Sequence, residues 1–236
     1  MTMSHDNKLE NMLRESYSLS TRAPEWRKAF HLGTRLTFKK GTVICMGGEK
    51  SDLLYFIEKG EVRLMRTLAD GREKIIFYLQ AGALVGETPF FDKLPSLSSI
   101  VAGTNCVLYA FNRETVIQDI LPNHPLLTLS LLQSLSCKVR MLSNQSVELS
   151  LKELPARICR FLHMRIPTDT SGQLDRWVHP ALNQQELASL LGVHRVTLNK
   201  ALRELEKEGI LGPYSKNEVC ILDRGRLEAL SRSLDE

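Results

Sequence analysis

The chain has 236 residues, 43% of them hydrophobic and 25% charged, an ordinary globular composition that argues against disorder or a fibrous repeat. That length suits two modest domains or one large one. Its 31 basic and 27 acidic residues leave a net charge of +4, too small a surplus to hold a polyanion by bulk charge, so a nucleic-acid partner has to show itself in a motif.

The opening MTMSHDNKLENM is polar and lacks the apolar core of a signal peptide. The longest apolar runs, Ile75–Leu79 and Leu126–Leu135, are far short of the roughly 20 residues a membrane-spanning helix needs. A soluble, cytoplasmic protein without a membrane partner is expected. Cys45, Cys106, Cys137, Cys159 and Cys220 are odd in number, widely spread and contain no CxxC pair. That spacing excludes a local zinc knuckle and disfavours a disulfide framework; each cysteine reads most simply as a buried apolar thiol.

Residues 1–33 read as a helical lead-in. From Arg35 to Phe111 the pattern changes to short apolar or alternating runs: Thr42–Cys45, Leu53–Ile57, Val62–Arg66, Lys74–Leu79 and Val107–Phe111. Glycines separate them, at Gly41, Gly47, Gly48, Gly60, Gly71, Gly82 and Gly86. Short strands with closely spaced turn signals predict an antiparallel barrel or sandwich. Asp70-Gly71 predicts a two-residue type I′ hairpin, a turn that needs positive φ at both central residues.

The period then switches. Pro125 suits a first helical position, and Leu132, Leu135, Val139, Leu142 and Leu149 fall on alternating three- and four-residue steps, with Ser146 in the vacant place. A 3–4 repeat is a coiled-coil seam, which predicts self-association along this helix. Leu127 and Leu131 lie on a second apolar face suited to packing on the barrel. A helix over Leu154–Met164 follows, then a polar surface loop at Thr168–Arg176, with the hinge between domains near Ser150–Leu154.

Residues 182–211, LNQQELASLLGVHRVTLNKALRELEKEGIL, carry the most specific signal. Asn183 and Glu186 have capping-box spacing. Leu187, Leu190 and Leu191 make an apolar stripe, Ala188 is small where a second helix must approach, and Gly192 supplies the turn. Val193, Leu198 and Leu202 place the core face of the second helix. This is a helix-turn-helix pattern. The opposite face presents His194, Arg195, Val196, Asn199, Lys200 and Arg203, with Thr197 beside them, and reads as a polar surface without an acid. Arg can bond guanine in a bidentate manner and Asn can do so with adenine, Val196 can touch a thymine methyl, and Lys200 and Arg203 suit phosphate or base contact. Ile210–Leu222 reads as two short strands around Ser215-Lys216-Asn217, a wing beside the helices. Major-groove binding to double-stranded DNA is the inference.

With these motifs in place, residues 30–225 resemble the Crp/Fnr superfamily of bacterial transcription regulators. In the barrel the resemblance rests on Gly41, Gly48-Glu49, Asp52, the Tyr55-Phe56 pair and Gly60 with Val62; in the second domain it rests on QQELASLLGVHRVTLNKALRELEKEGIL. The resemblance implies an α+β chain. Residues 1–122 would form a lead-in and an effector-sensing, cyclic-nucleotide-binding-type antiparallel β-barrel (a cupin-like jelly roll). Residues 123–150 would form the dimerisation helix, with Leu132, Leu135, Val139, Leu142 and Leu149 at the interface. Residues 151–236 would form a winged helix-turn-helix. It also implies a homodimer on a pseudo-palindromic site, contact with RNA polymerase and no catalysis. The GVH-x-VT piece, Gly192 to Thr197, is similar to the chlorophenol-responsive dehalorespiration regulators of this family.

Residues 82–101, GALVGETPFFDKLPSLSSIV, align with the family's phosphate-binding cassette, in which a Glu takes the ribose hydroxyl and an Arg the cyclic phosphate. Gly86, Glu87, Thr88 and Ser98 fit the pattern, but Leu97 stands in the Arg position. A phosphate without that cation loses about 1.5–3 kcal/mol, tenfold or more in affinity. Cyclic AMP is therefore disfavoured, and a small, partly aromatic or uncharged effector is expected, its pocket closed by Val139, Leu142 and Ser143. An empty, packed barrel is the plainer alternative. No cysteine precedes Cys45, so the N-terminal cluster of the family's iron–sulfur members is missing. Haem stays open, with His31 and His124 available as axial residues, although a lone histidine is more often an ordinary surface or core residue. A cysteine-redox sensor is a further alternative. A cupin-type barrel enzyme would need histidine ligands for its metal, and Arg35–Phe111 contains no histidine.

Overall fold

The computed structural model describes residues 18–19, 23–68, 71, 73–151, 153–166 and 176–232. Its described residues divide into two compact units, those within 16–143 and those within 144–236.

In the first unit, the strands are β1 (Ser18–Leu19), β2 (Thr34–Phe38), β3 (Val43–Cys45), β4 (Leu53–Lys59), β5 (Glu61–Thr67), β6 (Glu73–Gln80), β7 (Leu84–Val85), β8 (Ser99–Ala102) and β9 (Cys106–Asn112). They form two sheets, ordered β1-β6-β5-β8-β3 and β2-β9-β4-β7. Every pair is antiparallel except β1 with β6. Alternating side chains fill the space between the sheets: Tyr55, Ile57, Val62, Phe77, Leu79, Val85, Ile100 and Leu108 form one core cluster. Strand β4 reads as a continuous apolar run because both of its faces are buried. Leu54 and Phe56 point to a second cluster with Trp26, Phe90, Phe111, Leu127 and Leu131. There the Trp26 and Phe111 rings meet edge-on at 5.3 Å and Phe30 stacks on Tyr109 at 3.6 Å.

Two expectations need correction here. The lead-in is not simply helical: its described part is the parallel strand β1 and a 3₁₀ segment, Pro24–Leu32. The β5–β6 hairpin exists, but its last pair is Thr67 with Glu73, so the connection is wider than a two-residue type I′ turn. A register shift between Leu64 and Met65 accompanies it. Gly71 does take positive φ, at 79°; Asp70 lies outside the described residues.

After β7, Gly86 leads into a short helix, α1 (Glu87–Asp92). Helical turns over 113–123 then lead to α2, Pro125–Leu151, with proline at its first position. Its residues Leu127, Leu131, Ser134, Lys138 and Met141 are buried; they follow the same 3–4 spacing as the heptad positions but one residue earlier. The heptad side chains Leu132, Val139, Leu142 and Leu149 are exposed, while Leu135 is half-buried.

The second unit contains α3 (Leu154–His163), β10 (Trp177–Val178), α4 (Gln184–Leu191), α5 (Arg195–Lys207), β11 (Val219–Cys220) and α6 (Arg224–Arg232). The expected polar loop at Thr168–Arg176 lies outside the described residues except for Arg176. Leu187, Ala188, Leu190, Leu191, Leu198, Leu202 and Leu205 form the helical core, and Arg157 Nη1 donates to the Leu191 carbonyl at 2.7 Å, satisfying the C-terminal end of α4. The wing hairpin is short: Leu211 bridges Ile221, with Gly212 N–H donating to the Cys220 carbonyl at 2.8 Å and Leu222 N–H to the Ile210 carbonyl at 2.9 Å. What the sequence did not show is that β11 also pairs antiparallel with β10, upstream of the helices.

Candidate effector cassette and nucleic-acid interface

The cassette begins where β7 ends. Gly86 has φ 97°, and a Cβ there would sit 2.9 Å from the Leu53 carbonyl oxygen. Only glycine meets both demands. The turn delivers Glu87 to the first position of α1, where it is 4% exposed. A carboxylate this deep requires partners, and α2 provides them. Lys138 Nζ donates to Glu87 Oε1 and, at 2.8 Å, to the Leu84 carbonyl. Ser134 Oγ donates to the same carboxylate oxygen at 3.4 Å. Side-chain exposures of 11% for Lys138 and 5% for Glu87 make this a buried ion pair. It ties the start of α1 and the end of β7 to the middle of α2.

Leu97 takes no part in that arrangement. The segment around it is pinned to the β3–β4 loop: Gly48 N–H donates to the Ser96 carbonyl at 2.7 Å, and Ser96 N–H donates to the Glu49 carbonyl at 2.8 Å. Ser96 Oγ donates to the Ser98 carbonyl. Leu97 itself is 68% exposed, Thr88 is exposed and Ser98 is half-buried. Val139, Leu142 and Ser143 are exposed on the heptad side of α2. Within one chain, the helix residues that bond Glu87 are Ser134 and Lys138, one step around α2 from the exposed Val139, Leu142 and Ser143. Lys138 was visible in the sequence as a cation on the Leu127–Leu131–Met141 face, but its partner lies 51 residues upstream.

Cys45, Cys106 and Cys159 do not resemble reactive centres. Burial pushes the Cys159 thiol up to about 12, and burial likewise raises Cys45, against a smaller opposing effect of a Ser51 hydrogen bond. Cys106 Sγ donates to the Glu61 carbonyl at 3.1 Å. A reactive cysteine needs a stabilised thiolate. His31 and His124 are exposed, and among the described residues no group of three His, Cys, Asp or Glu side chains could hold a metal ion. Nor, among them, is any helix long and apolar enough to cross a membrane.

In the second unit the capping box closes in both directions. Asn183 Oδ1 accepts from Glu186 N–H, and Glu186 Oε2 accepts from Asn183 N–H, each at 2.9 Å. Gly192 turns the chain at φ 69°. His194 caps α5, its Nδ1 accepting from Val196 N–H at 3.3 Å. Arg195, Val196, Thr197, Lys200 and Arg203 are exposed, Val196 by 70%. Asn199 is half-buried, and its Oδ1 is buried without a hydrogen-bond partner.

Two shallow grooves flank this face. One, of about 400 Å³, is lined by Val196, Asn199, Lys200, Arg203, Glu204 and Lys207. Glu204 corrects the expectation of a surface without an acid. The other, also about 400 Å³, joins Gln184 and Gln185 at the start of α4 to Arg195 at the start of α5 and to Ser215 and Lys216 of the wing. The wing tip is held in place: His179 Nδ1 bonds the Asn217 carbonyl, and Ala181 N–H donates to the Lys216 carbonyl at 3.0 Å. Sequence reasoning missed Gln184, Gln185 and Lys216 as members of this surface. Their signal was position, at a helix start and at a hairpin tip.

Comparison with known proteins agrees with this architecture. Residues 35–121 match the cyclic nucleotide-binding domain model and residues 156–230 match the Crp-like helix-turn-helix domain model. A CRP-like cAMP-activated global transcriptional regulator of Mycobacterium tuberculosis is 30% identical over 198 residues, 83% of this chain and 87% of that protein. The c-di-GMP-responsive global regulator CLP of Xanthomonas campestris superposes with a TM-score of 0.74 at 22% identity, covering 85% of this chain and 99% of that one. OCPA-complexed CprK superposes at 0.72 with 21% identity, covering 91% and 96%.

Proposed function

Because this chain belongs to the Crp/Fnr superfamily of effector-responsive, DNA-binding transcription regulators, which are not enzymes, we propose that it reads a pseudo-palindromic operator as a homodimer under control of a small molecule other than cyclic AMP. The observation that carries this reading is the state of Glu87. The carboxylate at the family's ribose position is already held by Lys138, and Leu97 occupies the place of the phosphate-binding arginine. A cyclic nucleotide would have to displace a buried ion pair and bind its phosphate without that cation. A small, partly aromatic or uncharged molecule meets neither cost.

Residues 1–122 form the sensing domain in this reading, 123–150 the dimer helix and 151–236 the DNA-binding domain. The seam of Leu132, Val139, Leu142 and Leu149, with the half-buried Leu135, pairs with the same seam of a second copy. Gly86, Glu87, Thr88, Leu97 and Ser98 form the cassette. Val139, Leu142 and Ser143, exposed in one chain, can reach an effector only from the dimer seam. Effector binding shifts the population of cassette and α2 arrangements, and the hinge near Ser150–Leu154 sets the spacing of the recognition helices. Productive spacing is one helical turn of DNA, about 34–36 Å.

On the DNA, Arg195 contacts guanine, Asn199 adenine and Val196 a thymine methyl, while His194, Thr197, Lys200 and Arg203 contribute phosphate or base contacts. Cyclic-AMP-responsive members carry Arg-Glu and a further Arg on this helix; here Val196 and Lys200 replace the latter two, so the half-site differs from theirs. The bound dimer recruits RNA polymerase in the cytoplasm. A thermal-shift screen of small metabolites and aromatics, with cyclic AMP included and each hit carried into a DNA-binding assay, tests the proposal. Stabilisation by a molecule other than cyclic AMP that also changes DNA affinity is expected. Stabilisation by micromolar cyclic AMP would overturn the reading of Leu97 and Glu87 and favour activation by cyclic AMP, for which the mycobacterial relative is named.

A further inference from the structure

A pocket lies at the far end of the cassette helix. Lys50, Ser51 and Asp52 of the β3–β4 loop, Pro89 and Lys93 of the α1 region, and Arg113 after β9 line a recess of about 300 Å³, at the lower end of ligand-sized cavities. Three cations and one carboxylate leave its wall at +2. Arg113 is held there by an aromatic ring: its guanidinium lies over the buried Phe90, 5.4 Å from the centroid. Its Nη1 is buried and finds no acceptor, so the guanidinium's hydrogen-bonding capacity is not used up within the protein. Neither Lys50 nor Lys93 has a carboxylate within ion-pair distance among the described residues. Asp92, the acid next to Lys93, accepts instead from Leu94 N–H at 2.9 Å. Lys93 closes α1, its N–H donating to the Pro89 carbonyl at 3.2 Å.

We propose that this pocket binds a small multiply charged oxyanion, a phosphorylated or polycarboxylate metabolite, through Arg113, Lys93 and Lys50, with Ser51 as an additional donor. Arginine's fork suits either anion. The site is separate from the Glu87–Lys138 pair, although both abut α1, and the proposal does not depend on the effector's identity.

Calorimetric titration of the full chain with pyrophosphate and with citrate tests it. Saturable binding of at least one probe is expected, and the stronger probe tells phosphate from carboxylate. Arg113→Gln and Lys93→Gln should each weaken binding about tenfold or more, the loss expected for one charge-assisted contact. The pair Lys200→Gln with Arg203→Gln, on the recognition helix, should leave it unchanged. Lys93 is exposed, so its variant keeps the test valid if Arg113→Gln does not fold. Four results would overturn the proposal: no saturable heat with either probe, affinity unaltered in both pocket variants, loss of binding in the recognition-helix variant, or heat with polyglutamate alone, which would make the pocket a docking site for acidic protein.

Discussion

Replacing Lys138 by Met tests the buried link between cassette and dimer helix. The substitution keeps the length and apolar stem of the side chain and removes its charge. Glu87 then remains 4% exposed with only the long Ser134 contact, and the Leu84 carbonyl loses its 2.8 Å donor. Breaking a buried pair from one side costs about 3–5 kcal/mol, which for a unit of this size lowers the melting temperature by roughly 6–20 °C. Glu87→Gln should cost less, about 1–3 kcal/mol, because Lys138 keeps Leu84 and the amide oxygen still accepts. Joining Lys138→Met to Glu87→Leu removes both charges and should restore stability to within about 1.5 kcal/mol of wild type. Urea unfolding followed by Trp26 fluorescence reads the barrel unit selectively in a Trp177→Phe background, since Trp26 is fully buried there and Trp177 is 46% exposed in the other unit. Costs below about 1 kcal/mol for Lys138→Met, or simple additivity of the two changes, would refute the claim that the pair is buried and coupled.

Gly86→Ala should destabilise the barrel by about 2–4 kcal/mol, since a left-handed backbone and a 2.9 Å approach to the Leu53 carbonyl act together; urea unfolding reads it, and a cost under about 0.5 kcal/mol would contradict the assigned turn. Val139→Glu with Leu142→Glu places like charges on the exposed seam and should leave a monomer by light scattering, whereas a persistent dimer would place the interface elsewhere. The Cys159 thiol, raised to about 12 from 9.0, favours the folded state below pH 9, and that contribution is lost as pH rises from 9 toward 12. Between pH 9 and 10.5 the wild type should therefore lose about 2 kcal/mol more than Cys159→Ala does; equal losses would show that the thiol is not desolvated.

Local physics made the helix-turn-helix legible. Asn183 and Glu186 sit at capping-box spacing, Gly192 takes the left-handed turn, and the apolar positions bury as their 3–4 pattern demands. The exposed seam of α2 was equally readable, because Leu127 and Leu131 already supplied the face that packs on the barrel. Strand β10 was not, since two residues, Trp177 and Val178, carry no period. The link between Lys138 and Glu87 escaped for another reason: each residue is ordinary in its own segment, and only the fold brings them together. Leu97 was read by its place in a motif, which says which residue replaces an arginine but not that the backbone turns its side chain outward. The width of the β5–β6 hairpin was misjudged because Asp-Gly favours a tight turn without fixing the register, which the bulge at Leu64 and Met65 resets.

The most direct measurement is selection of random duplexes by the full chain, with and without the compound found by thermal shift, followed by titration of wild type and Arg195→Ala on the selected and scrambled sites. A pseudo-palindrome with half-sites one helical turn apart is expected. Arg195→Ala should lose about 1–3 kcal/mol on that site and relax a single base position in each half. An unchanged affinity of Arg195→Ala, equal for selected and scrambled duplexes, would contradict it.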